Sequence, residues 1–170
     1  KNHIFTTLCE AAPGIILAGR YFSGLYQIDK RTSKTTYFTP ASYAHESIRP
    51  DKYIRDIRKD SRGYVWSGGY YNLKRINVQT KDIRLYHGLH SVTAIIEKDD
   101  NSTWIGTATG LFLLDVESGK SERIQLPVES TFVYSLYQTH EDALYIGTTG
   151  SGILIYDPQT PLFTISYTGN

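Results

Sequence analysis

Four copies of one short pattern recur along the 170-residue chain and constrain its fold more than any other feature. In its clearest form the pattern reads Trp104-Ile105-Gly106-Thr107, followed by Gly110-Leu111. Steps of 49, 38 and 41 residues separate the corresponding glycines, which are Gly19, Gly68, Gly106 and Gly147. A period near 40 residues is typical of propeller blades and of HEAT-type helical arrays.

Short apolar runs decide between these two architectures. Each copy carries four runs of about five residues with turn-forming residues between them, as short antiparallel strands require. No window shows the 3.6-residue apolar periodicity of a helix. The repeated glycine is expected to allow close backbone packing. The third run of each copy ends in Asp or Asn with Thr or Ser three residues later, which predicts Asx turns at Asp29, Asn77, Asp115 and Asp157.

The sequence therefore predicts an all-β fold, a β-propeller fragment of about four four-stranded antiparallel blades that forms an incomplete ring. The expected blades are approximately residues 1–40, 51–88, 89–127 and 130–168, and residues 39–53 form an inter-blade insertion. Loops of this length are usually functional or disordered. An incomplete ring exposes apolar faces and strand edges, so we expect self-association through the open blade edges.

The repeat resembles the two-component regulator propeller repeat, whose pattern runs roughly Asp-x-x-Gly-x-hydrophobic-Trp-Ile-Gly-Thr and then Gly-Leu and a terminal Asp. Residues 60–68, 99–115 and 141–157 match this pattern well. The first two copies depart from it at Leu17, Arg20, Ser67, Gly69 and Asn72. The resemblance implies a periplasmic segment of a hybrid two-component sensor histidine kinase, of the kind that gut Bacteroidetes use to detect glycans. It also implies that further blades of a longer parent chain pack against this segment.

Composition excludes several functional classes. The formal net charge is +1, so we expect no nucleic-acid partner and no membrane contact by this segment. No apolar stretch approaches the roughly 20 residues of a membrane span. Cys9 is the single cysteine and stands in an apolar run, which indicates a small buried hydrophobe rather than a disulfide or metal ligand.

The sequence also lacks the patterns of catalytic centres. His87 and His90 stand in a predicted loop without a third ligand, so no metal site is expected there. There is no nucleophile elbow, no complete phosphate loop and no nucleophile beside an adjacent base. We therefore expect no catalytic residue, no cofactor and no metal in this segment, although the resemblance implies a histidine kinase in the parent protein.

Ligand recognition is better supported by the loops. In a propeller, the loops that join strand two to three and strand four to the next blade share one face. Two of them carry paired aromatic residues beside a polar group, where the first two copies depart from the repeat. Aromatic rings with planar amide or guanidinium donors suit sugar rings. The candidate ligand-binding residues are Arg20, Tyr21, Phe22, Tyr70, Tyr71, Asn72, His87 and His90.

The leading hypothesis is a non-enzymatic sensor segment that recognises an oligosaccharide and signals across the membrane to regulate transcription. The alternative is a protein-interaction scaffold without a small-molecule ligand, because Tyr-rich hairpins also pack between blades or against protein partners. A third hypothesis, a propeller-type lyase or hydrolase, requires clustered carboxylates or metal-ligating histidines on one face, and the sequence does not display such a cluster.

Overall fold

The computed structural model describes residues 4–39, 53–129 and 131–167. Over these residues sixteen β-strands form four separate four-stranded antiparallel sheets, which confirms the predicted all-β architecture. The chain divides into two compact units, unit 1 over residues 1–92 and unit 2 over residues 93–170. Nearly all of the insertion expected at residues 39–53 lies outside the described residues.

Unit 1 contains sheets 1 and 2, in each of which the strands are paired in chain order. Sheet 1 consists of β1 (Phe5–Ala12), β2 (Ile15–Arg20), β3 (Gly24–Asp29) and β4 (Thr35–Tyr37). Sheet 2 consists of β5 (Ile54–Lys59), β6 (Val65–Gly69), β7 (Leu73–Ile76) and β8 (Ile83–Tyr86). The apolar core between them includes Leu17, Leu25, Phe38, Ile54, Ile57, Val65 and Ile76.

Unit 2 repeats this arrangement. Sheet 3 consists of β9 (Val92–Asp99), β10 (Ser102–Thr107), β11 (Gly110–Asp115) and β12 (Ser121–Ile124). Sheet 4 consists of β13 (Val133–Gln138), β14 (Leu144–Thr148), β15 (Ile153–Asp157) and β16 (Leu162–Tyr167). Its core includes Trp104, Leu111, Leu126, Val133, Leu136, Ile146 and Leu154. Within the described residues, no helix is long and apolar enough to cross a membrane.

Asx turns end the third strand of every sheet, as predicted. In sheet 1 the Asp29 carboxylate accepts hydrogen bonds from the backbone N–H groups of Arg31 and Thr32, at 2.8 and 3.0 Å. The same role falls to Asn77, Asp115 and Asp157 in the other three sheets. These side chains satisfy backbone donors that the tight turn leaves without a strand partner.

The repeated glycine lets the next sheet approach closely. A Cβ atom on Gly19 would lie 2.6 Å from Cγ2 of Ile54, and one on Gly106 would lie 2.7 Å from Cγ1 of Val133. Ile54 and Val133 open the first strands of sheets 2 and 4. The glycine therefore allows close packing, but against a side chain of the neighbouring sheet and not against backbone as expected.

A threonine secures each of these approaches. The first strand of a sheet pairs with the second through a register shift at its second residue, as seen in β1, β5 and β13. In β1 the shifted position is Thr6, whose hydroxyl donates a 2.6 Å hydrogen bond to the carbonyl oxygen of Ile54. Thr93 in β9 donates an equivalent 2.6 Å bond to the carbonyl oxygen of Val133. The same device therefore joins sheet 1 to sheet 2 and sheet 3 to sheet 4.

Sheet 2 also contains a buried ion pair. Asp60 accepts hydrogen bonds from the indole N–H of Trp66 at 3.1 Å and from Nε of Arg75 at 2.7 Å. The Arg75 guanidinium also lies over the ring of Tyr64, 4.1 Å from its centroid. The carboxylate of the repeat pattern thus orients the tryptophan of the same pattern, which identifies these residues as scaffold.

Candidate ligand-binding site

Five aromatic side chains of unit 1 form a continuous series of ring contacts, which we call the aromatic ladder. Its members are Tyr21, Phe22, Tyr53, Tyr70 and Tyr71. The ring of Tyr53 lies 5.2 Å from that of Tyr21, 4.8 Å from that of Phe22 and 6.0 Å from that of Tyr70. The ladder therefore joins the two aromatic loops that the sequence indicated, through a residue that the sequence analysis did not select.

The first part of the ladder lies on the turn between β2 and β3. Tyr21 follows β2 directly, and its backbone N–H donates to the carbonyl oxygen of Ile4 at 2.9 Å. Phe22 has a φ of 67°, in the left-handed region that a bulky residue rarely adopts. Such local strain often accompanies functional positions, since the surrounding structure must hold it in place.

The second part lies between β6 and β7. The carbonyl oxygen of Tyr70 accepts a hydrogen bond from the backbone N–H of Ser91 at 3.0 Å. The carbonyl oxygen of Tyr71 lies 2.7 Å from Nδ1 of His90. The loop after β8 therefore supports the aromatic pair, and His90 belongs to the site through the backbone of Tyr71.

Solvent exposure distinguishes the outer members of the ladder from the inner ones. Phe22 is 62% exposed, Tyr70 51% and Tyr71 39%. Tyr21 and Tyr53 are half-buried and lie between these exposed rings. Most of the pairs meet edge to face, the geometry that aromatic rings prefer when they are not stacked in parallel. The ladder is therefore an aromatic surface in which exposed rings pack on the half-buried rings of Tyr21 and Tyr53.

The remaining candidate residues are placed differently. Arg20 donates a 3.1 Å hydrogen bond to the hydroxyl oxygen of Tyr26 and lies over that ring, so its guanidinium is engaged outside the ladder. The hydrogen bond between Ser23 and Tyr26, assisted by Arg20, lowers the pKa of the Tyr26 hydroxyl below its ordinary value. Asn72 is half-buried and His87 is exposed, and neither is a member of the ladder.

Tyr53 is the last residue of the insertion expected at residues 39–53, but it was not among the candidate ligand-binding residues. It lies at the end of the insertion, one position before β5, and forms an isolated antiparallel bridge with Tyr21. Tyr53 occupies the position directly before the first strand of its sheet. The corresponding residues of the other sheets are Ile4, Ser91 and Phe132. Of these three residues only Phe132 is aromatic, so the position alone does not predict the contact between Tyr53 and Tyr21.

The comparisons with known proteins concern the fold. No family model matches the sequence, and no curated protein matches it. Among solved structures, the extracellular domain of the putative hybrid two-component system BT4673 from B. thetaiotaomicron aligns with 99% of this chain at a TM-score of 0.80 and 17% identity. The corresponding domain of BT3049 from the same organism aligns with 94% of the chain at a TM-score of 0.77 and 17% identity.

An enzyme shares the same architecture. Virginiamycin B lyase from Staphylococcus aureus aligns with 92% of this chain and 53% of its own length, at a TM-score of 0.70 and 18% identity. This chain covers 22% and 23% of the BT4673 and BT3049 domains. At these identities the matches show the propeller-like fold alone. Among the described residues, no group of three or more His, Cys, Asp or Glu side chains is arranged to hold a metal ion.

Proposed function

We propose that this chain is a non-catalytic segment of an extracytoplasmic two-component sensor and that its aromatic ladder contacts an oligosaccharide. The single observation that carries the proposal is the ladder itself. It is exposed, it is built from loops where the repeat is broken, and Phe22 joins it from a left-handed backbone conformation that the surrounding structure must hold. Scaffold residues of the repeat do not require such an arrangement.

The chemistry of the surface favours sugars over most other small ligands. Pyranose rings present apolar C–H faces that pack on aromatic rings, and their hydroxyl groups accept and donate hydrogen bonds to nearby polar groups. The phenolic hydroxyls of Tyr70 and Tyr71 and the ring of His90 lie on or beside the ladder. A series of rings several residues long also matches an extended oligosaccharide better than a single monosaccharide.

The structural neighbours are consistent with a sensor. Two of them are extracellular domains of putative two-component systems, and the repeat resembles that of such sensors. In a sensor of this kind, signalling follows only if the ligand binds one arrangement of the receptor more tightly than another. The segment would contribute affinity, while the response would arise in the rest of the parent protein.

A thermal-shift screen tests the proposal. The chain is heated in the presence of a panel of neutral oligosaccharides, and at least one is expected to raise the melting temperature, as ligand binding to the folded state requires. The Tyr70→Ala/Tyr71→Ala variant should lose that increase. The matched control is Tyr134→Ala/Tyr137→Ala, which removes two exposed tyrosines of sheet 4 and should retain it.

The alternative function is a protein-interaction scaffold, and the same exposed aromatic surface favours it. Aromatic residues are enriched at the centres of protein interfaces. If no oligosaccharide stabilises the chain, while a protein partner binds the wild type and not the Tyr70→Ala/Tyr71→Ala variant, the scaffold function replaces the sensor function.

A further inference from the structure

Charge is divided between the two units in a way that the overall net charge of +1 conceals. Residues 1–92 contain fifteen Lys and Arg against seven Asp and Glu, which gives +8. Residues 93–170 contain three against ten, which gives −7. An asymmetry of this size between parts of one chain indicates that the parts meet different partners or ligands.

A cleft of about 270 Å³ lies in unit 1 between sheets 1 and 2. It opens at the hairpin between β5 and β6, at the opposite ends of the strands from the aromatic ladder. Its lining includes Lys59, Arg62, Gly63, Tyr64 and Asn77. Two cationic side chains therefore lie in one concave surface.

Neither cation forms a hydrogen bond or a salt bridge in the part of the chain that the structure describes, although Lys59 interacts at longer range with the carboxylate of Glu10. The carboxylates nearby are already engaged, since Asp60 binds Arg75 at 2.6 Å and Glu10 binds Lys30 at 3.2 Å. The N–H donors of Lys59 and Arg62 are therefore not used by these carboxylates at hydrogen-bond distance.

Asn77 adds a neutral donor in place of a carboxylate. In the three other sheets the residue of the Asx turn is Asp, whereas sheet 2 has Asn. The side-chain oxygen of Asn77 accepts from the backbone N–H groups of Gln79 and Thr80, at 3.0 and 3.2 Å. Because the oxygen is fixed by the turn, the amide NH2 group is directed away from it and can donate to a ligand.

Unit 2 contains a second cleft of about 270 Å³ between sheets 3 and 4, which serves as an internal comparison. The hairpins β5–β6 and β13–β14 have equal lengths, with Gly63 and Asp142 both at positive φ. This register makes Lys59 equivalent to Gln138, Arg62 to Glu141 and Asn77 to Asp157. The three positions carry two positive charges in unit 1 and two negative charges in unit 2.

We propose that the cleft of unit 1 is a binding site for an oxyanion, a carboxylate or sulfate group of a small ligand, held by Lys59, Arg62 and the side-chain amide of Asn77. A guanidinium offers paired N–H donors to either group, and the ammonium and amide complete the set. Shape alone does not explain the site, because unit 2 has a cleft of the same volume and carries negative charges at the positions equivalent to Arg62 and Asn77. The site is separate from the aromatic ladder and does not depend on its function.

Two-dimensional NMR of the ¹⁵N-labelled chain tests the proposal with sodium sulfate and sodium acetate as probes, against sodium chloride at equal ionic strength. We expect saturable shifts of the Gly63 backbone amide and the Asn77 side-chain amide with sulfate, acetate or both, and the stronger probe identifies the preferred group. Shifts that do not saturate, or that chloride reproduces, would overturn the proposal.

The two clefts provide matched variants. Lys59→Gln/Arg62→Glu/Asn77→Asp gives the cleft of unit 1 the residues that unit 2 already carries at the equivalent positions, so folding should be retained. Each lost charge-assisted hydrogen bond corresponds to about tenfold in affinity, so anion binding should weaken by at least about tenfold. The control Lys98→Gln, in the cleft of unit 2, should leave it unchanged. Equal binding by the triple variant and the wild type would contradict the assignment.

Discussion

The ring of Tyr53 stands edge-on to the ring of Tyr21, with 5.2 Å between their centroids and 81° between their planes. The two residues belong to different sheets, since Tyr21 follows β2 and Tyr53 precedes β5. Their contact turns two separate aromatic loops into one surface. Tyr53 is therefore the structural centre of the aromatic ladder.

Replacing Tyr53 tests that central position. Tyr53→Ala removes three ring contacts and should lower the free energy of unfolding by about 1–2 kcal/mol. Tyr53→Phe keeps the ring and should restore most of the loss. Chemical denaturation measures both, with Tyr134→Ala as the control, because Tyr134 is 68% exposed. A Tyr53→Ala variant as stable as the control would contradict the ladder.

The repeated glycine makes a second prediction. Gly106→Ala places a Cβ atom 2.7 Å from Cγ1 of Val133, which should destabilise the chain by about 1–3 kcal/mol through overpacking. The double variant Gly106→Ala/Val133→Ala opens space for the new methyl group. Its loss should be smaller than the sum of the two single losses, and simple additivity in denaturation experiments would argue against this contact.

The buried ion pair of sheet 2 makes a third prediction. Asp60→Ala leaves the mostly buried guanidinium of Arg75 without its carboxylate and should cost about 3–5 kcal/mol in the free energy of unfolding. Asp100→Ala, at an exposed hairpin position of sheet 3, should change stability by no more than about 0.5 kcal/mol. Similar losses in both variants would show that the pair does not stabilise the fold.

Cys9 provides a test that depends on pH. Burial raises the pKa of its thiol to about 11, in spite of the nearby Lys59. The thiolate is the reactive form, and at pH 8 only about one thousandth of the native protein should carry it. Alkylation by iodoacetamide should be slow at pH 8, accelerate as pH rises toward 11, and become fast in denaturant. Cys9 is half-buried, not fully buried as expected, and rapid alkylation of the native chain at pH 8 would contradict the raised pKa of its thiol.

Self-association remains a prediction. Sheet 4 exposes Tyr134, Tyr137 and Leu162, and sheet 1 exposes Phe5 and Leu8. Gly147 of sheet 4 corresponds to Gly19 and Gly106, which accept the side chains of Ile54 and Val133. We therefore expect a strand of a second copy to pack against Gly147. Light scattering should show species larger than a monomer at high concentration, and Tyr137→Lys should reduce them. A strict monomer would refute this prediction.

Much of the fold followed from the repeat, because strand length, turn chemistry and the glycine position are local properties of each copy. Asp29 and Asn77 form Asx turns for reasons contained in a few neighbouring residues. The ladder did not follow in the same way. Tyr53 reaches Tyr21 only because two sheets pack side by side, and no local pattern encodes that distance.

The division of charge between the two units was not predicted from the sequence, for a different reason. The net charge of +1 is a sum over the whole chain and says nothing about where charges lie. The signal was present in the sequence, since Asn77 replaces the Asp found in the other copies and Arg62 aligns with Glu141. The charges at equivalent positions of the aligned copies identify the basic cleft, whereas the net charge of the whole chain does not.

Chemical-shift mapping with an oligosaccharide that raises the melting temperature is the sharpest test of the aromatic ladder as a ligand-binding surface. The largest saturable shifts should fall on the amides of Phe22, Tyr53, Tyr70 and Tyr71, while those of sheet 4 remain unchanged. Saturable shifts confined to other residues, or the absence of any saturable shift across a broad oligosaccharide panel, would contradict the assignment of the aromatic ladder as the ligand-binding surface.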